Sequence, residues 1–104
     1  MSQAPYTTDS ESTRDCVGPV LQSGVEADAV IAAIRTLNPQ VRLLDRGAYV
    51  RVLVPHRCVV TREAIEARVC RPFRLPRDLE AIMSSFKGRF HVTADEASWE
   101  MGRG

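Results

Sequence analysis

Two stretches rich in β-formers, Val41 to Leu44 and Ala48 to Val54, are separated only by Asp45-Arg46-Gly47. Three residues cannot carry a chain over a sheet to a parallel neighbour, which takes a dozen or more, so the two strands must pair antiparallel. Gly47 can supply the positive φ that such a turn needs. Within the second strand Val50, Val52 and Val54 alternate with Tyr49, Arg51 and Leu53. Alternation puts the valines on a core face and leaves an aromatic, a cation and an aliphatic on the other, which suits either a second small layer or a partner surface.

The remaining elements follow from local signals. Residues 1–15 are polar and hydroxyl-rich without periodicity, and are expected to form a mobile tail. Val17-Gly18-Pro19-Val20-Leu21 reads as a strand whose proline confines it to a sheet edge or a strand start. Ser23 and Glu26 stand three apart as a reciprocal capping pair, and Ala27, Val30, Ile31, Ile34 and Leu37 then keep one helical face until Asn38-Pro39. Cys58-Val59-Val60 offers a third strand, and Thr61 caps a short helix that stops near Arg71-Pro72. Pro76 opens a second short helix whose Leu79, Ile82, Met83 and Phe86 hold helical spacing up to Gly88. Phe90 and Val92, then Trp99 and Met101, flank Ala94 to Ala97 as a closing hairpin. The expected fold is α+β with antiparallel sheets, one longer N-terminal helix and two short helices in series, in the order β-α-β-β-β-α-α-β-β. At 104 residues it makes a single domain, 16–104, behind the tail.

Chemistry is sparse. Cys16, Cys58 and Cys70 are an odd number at spacings that match neither a disulfide framework nor a metal knuckle, and read as buried thiols. His56 follows a proline in a turn and His91 alternates away from Phe90 and Val92. The glycines are scattered, so no phosphate loop exists. Cys70 has Arg68, Arg71 and Arg74 nearby in sequence to lower its pKa, yet packed thiols at helix ends are commoner than nucleophiles. No catalytic residue, metal ligand or cofactor-binding residue is assigned. No apolar run is long enough for a membrane span, which leaves a cytoplasmic protein as the expectation.

Thirteen arginines and one lysine face thirteen acids, for a net charge of +1. The total argues for neither nucleic acid nor membrane. Residues 57–77 hold six arginines and two glutamates, so a small basic module that binds nucleic acid is the rival reading. Arg62 and Glu66 can pair at i,i+4, however, and arginine forks suit protein contacts. From face and charge, the expected partner surface is Tyr49, Arg51 and Leu53, with Arg71, Arg74 and Arg77 as an electrostatic rim.

Several strings bear on family. Val17-Gly18-Pro19-Val20, Asn38-Pro39, Asp45 to Val52, Thr61-Arg62, Arg71-Pro72-Phe73 and Ser85-Phe86-Lys87-Gly88 follow one another in an order and spacing that resemble the effector proteins of bacterial multicomponent diiron monooxygenases, most closely those of the toluene monooxygenases. Cys70 departs from that pattern, which has glycine there, and Gly47 stands where a longer side chain is usual. The resemblance implies a non-catalytic, cofactor-free subunit that docks on the diiron hydroxylase component. It also implies effects on turnover, coupling and regiospecificity, with electrons arriving from an NADH reductase through a Rieske ferredoxin.

Overall fold

The structure, a computed structural model, describes residues 15–102. The expected tail therefore lies outside the described residues except for Asp15 at its end. Ten elements follow: β1 (Cys16–Gln22), α1 (Val25–Leu37), β2 (Arg42–Asp45), β3 (Tyr49–Pro55), β4 (Arg57–Thr61), α2 (Arg62–Val69), α3 (Arg77–Ile82), β5 (Met83–Lys87), β6 (Arg89–Val92) and β7 (Glu96–Glu100). They form a four-stranded sheet in the order β2-β3-β1-β5 and a three-stranded sheet in the order β4-β7-β6, antiparallel throughout.

The β2-β3 hairpin forms as its spacing requires. Gly47 takes φ 83°, its N–H donates to Asp45 Oδ1 at 2.8 Å, and Arg46 N donates to Tyr49 O at 2.8 Å. Val50, Val52 and Val54 enter the core with Val17, Leu21, Val30, Ile34, Cys58, Val60, Ile65, Phe73 and Trp99. Thr61 caps α2 as expected, its Oγ1 accepting from Ala64 N at 3.1 Å. The closing hairpin pairs Phe90 with Trp99 and Val92 with Ala97.

Four expectations need correction. The 13-residue α1 is the longest helix, but it follows β1 and is not N-terminal. The helical spacing from Leu79 to Phe86 breaks at Ile82, and Met83–Lys87 is instead a strand that adds a member to the expected order. Its backbone is taken up by the second edge of β1, where Gly18 pairs with Lys87 and Leu21 with Met83. A strand edge needs hydrogen-bond partners wherever the chain can supply them, and that demand outweighs a local apolar period.

Consequently β1 is a central strand and Pro19 lies inside a sheet. Pairing between β1 and β3 lapses at Gly18 and Pro19 and resumes in the same register at Val20, so the missing N–H costs no bond on that side. Gly18 is itself obligatory, because its φ is +147° and a Cβ there would stand 2.2 Å from Val52 O. Finally, Ser23 does not cap α1. Gly24 occupies the N-cap with no side-chain bond, while Ser23 Oγ donates to Gly47 O at 2.6 Å and Ser23 N to Ala48 O at 2.9 Å. The serine ties the start of the helix to the β2-β3 turn, and Glu26 pairs with Arg71 instead.

Candidate protein-docking face

The register of the four-stranded sheet sorts its side chains onto two faces, since directly opposed residues share a face. Val17, Leu21, Val50 and Val52 point into the core. Opposite to them, Val20 pairs with Arg51 and with Ser85, Gln22 with Tyr49, Arg42 with Leu53 and Gly18 with Lys87. This outer face gathers Tyr49, Arg51 and Leu53 from the sequence-based set and adds Val20, Arg42, Ser85 and Lys87.

The three expected residues are not equivalent on it. Tyr49 is 40% exposed and Arg51 partly so, but Leu53 is only 2% exposed, so it supports the face from below. Tyr49, Arg51, Val20, Ser85 and Lys87 line a hollow of about 430 Å³. Phe86, 45% exposed, also lines this hollow, and its ring lies 5.4 Å from that of Phe90, which stacks on the buried Trp99 at 5.3 Å.

The arginine rim is dispersed. Arg71 pairs with Glu26 and lines a second hollow of about 380 Å³ with Gln22, Ser23 and Val69. As Gln22 is the cross-strand partner of Tyr49, this hollow adjoins the outer face at the end of β1. Arg74 lines a different hollow with Arg62, Phe73 and Ala94. Arg77 projects from α3 and meets only the neighbouring Asp78, at 3.7 Å, among the described residues. Strand alternation makes the Tyr49–Arg51 pair legible in sequence. The membership of Val20, Ser85 and Lys87 is not, because it depends on which strands flank β3 and β1.

The rival nucleic-acid reading loses its footing here. Within residues 57–77, Arg57 pairs with Glu100 at 2.9 Å, Arg62 with Glu66 at 3.5 Å and with Asp95 at 3.4 Å, and Arg71 with Glu26. With Arg77 beside Asp78 as well, four of the run's six arginines already face carboxylates, which weakens the field they present to a phosphate backbone.

The thiols do not form a site either. Cys16 and Cys58 are buried as expected, and burial pushes the Cys58 thiol up to about 12, against a smaller opposing pull from Arg57. A thiol held protonated in this way is a packing group. Cys70 is exposed, contrary to expectation, because it ends α2 in the left-handed conformation, φ 60° and ψ 36°. Among the described residues no cluster of three metal-ligating side chains is present, and no helix is long and apolar enough to cross a membrane.

Comparison with known proteins then decides the family: residues 15–100 match the model described as the MmoB/DmpM family. The chain belongs to the MmoB/DmpM family. The effector subunit of the alkene monooxygenase system of Xanthobacter autotrophicus (strain ATCC BAA-1158 / Py2) is 42% identical to this family member over 94 residues, covering 88% of this chain and 92% of that protein.

Two solved structures share the fold. One, of a phenol hydroxylase–regulatory protein complex, matches with a TM-score of 0.74 at 20% identity, over 84% of this chain and 98% of that one. The other, the soluble methane monooxygenase regulatory protein B, matches with a TM-score of 0.65 at 23% identity, over 85% of this chain and 66% of that one. Membership makes this MmoB/DmpM protein a regulatory subunit of a monooxygenase system and not a catalytic one.

Proposed function

We propose that this chain is the effector that docks on the diiron hydroxylase component of a multicomponent monooxygenase and modulates its turnover, coupling and regiospecificity. The observation that carries the reading is the 42% identity to an alkene monooxygenase effector along nearly the whole of both chains. The phenol hydroxylase complex that shares the fold supports a hydroxylase as the partner. The oxidised substrate is a small hydrocarbon, and the resemblance of the ordered strings from Val17 to Gly88 to toluene monooxygenase effectors favours an aromatic such as toluene. Electrons reach the hydroxylase from NADH through a reductase and a Rieske ferredoxin, without passing through this subunit.

The mechanism is differential binding. A protein that grips one arrangement of the hydroxylase better than another raises its population by the ratio of the two affinities. A tenfold preference takes about 1.4 kcal/mol, within reach of one or two interface residues. Tyr49 and Arg51 are the proposed contacts, over a floor that includes Leu53. Arg71, Arg74 and Arg77 act as outlying charges that influence the rate of encounter more than the strength of the complex.

The test is reconstitution from the same host. Purified effector is titrated into hydroxylase, ferredoxin and reductase while NADH-coupled oxidation and product distribution are followed. A saturable rise in coupled turnover or a change in product ratio is expected. An unchanged rate and product pattern at saturating effector would refute the reading.

A further inference from the structure

We draw no further inference here: the strongest candidate, the hollow of about 380 Å³ at the start of α1, where Val25, Val69 and Ile82 lie beside the Glu26–Arg71 pair, carries nothing because nothing in the structure shows what covers it.

Discussion

Cys70 sits at the C-cap of α2 with φ 60° and ψ 36°, its N–H donating to Glu66 O at 2.9 Å. The left-handed region crowds Cβ against the carbonyl and costs a non-glycine residue roughly 1–2 kcal/mol. Glycine removes that penalty but loses about 0.4–1 kcal/mol through the greater freedom of its unfolded chain. Because the thiol is exposed and its sulfur has only a 3.9 Å contact with Arg68 O, little packing is lost. Cys70→Gly should therefore stabilise the protein by about 0.5–1 kcal/mol, raising Tm by some ~2–8 °C for a domain of this size. Cys70→Ala, which keeps the Cβ, should be neutral within about 0.5 kcal/mol. Trp99 is the sole tryptophan and is fully buried, so its fluorescence during urea unfolding supplies the assay. A glycine variant no more stable than the alanine variant would refute the argument, because the conformational penalty would then be absent.

Two further outcomes follow from buried groups. Asn38 is 6% exposed; its Nδ2 donates to Ile34 O and Val59 O, each at 2.7 Å, and its Oδ1 accepts from Val59 N at 3.1 Å. Asn38→Ala strands the N–H and C=O of Val59, while Ile34 O keeps the Asn38 backbone N–H, and should cost about 2–4 kcal/mol, measured as a fall in the urea midpoint at constant slope; a loss under 1 kcal/mol would show that the clamp is dispensable. Cys58 stays protonated in the fold up to about 12, against an ordinary value of 9.0, so the unfolded chain gives up its proton first as pH rises. Its contribution is intact below about pH 9 and is lost through the window up to about 12, by as much as ~1.4 kcal/mol per pH unit. Wild-type stability should fall more steeply there than that of Cys58→Ala, and parallel pH profiles for the two would contradict the assignment.

Local chemistry was enough for much of this protein. The three-residue link at Asp45-Arg46-Gly47 dictates an antiparallel hairpin, valine alternation dictates which side of β3 enters the core, and Thr61 marks the start of α2. Each signal acts between residues close in the chain, where sterics and capping bonds dominate. Alternation also singled out Tyr49 and Arg51, because a strand's two faces are fixed once one of them is apolar.

What lay beyond the sequence depended on partners distant along the chain. Leu79 to Phe86 carries a helical period, yet Met83–Lys87 is a strand because the edge of β1 lies beside it. Pro19 marks an edge strand locally, yet β1 is central, because its ladder with β3 lapses where the proline would fail to donate. Ser23 and Glu26 form a capping pair on paper and bond instead to Gly47 and Arg71. Only the assembled sheet could set Val20, Ser85 and Lys87 beside Tyr49 and Arg51, and only it could sink Leu53 beneath them. Sequence fixes what a residue can do with its near neighbours, while long-range hydrogen bonding chooses its companions.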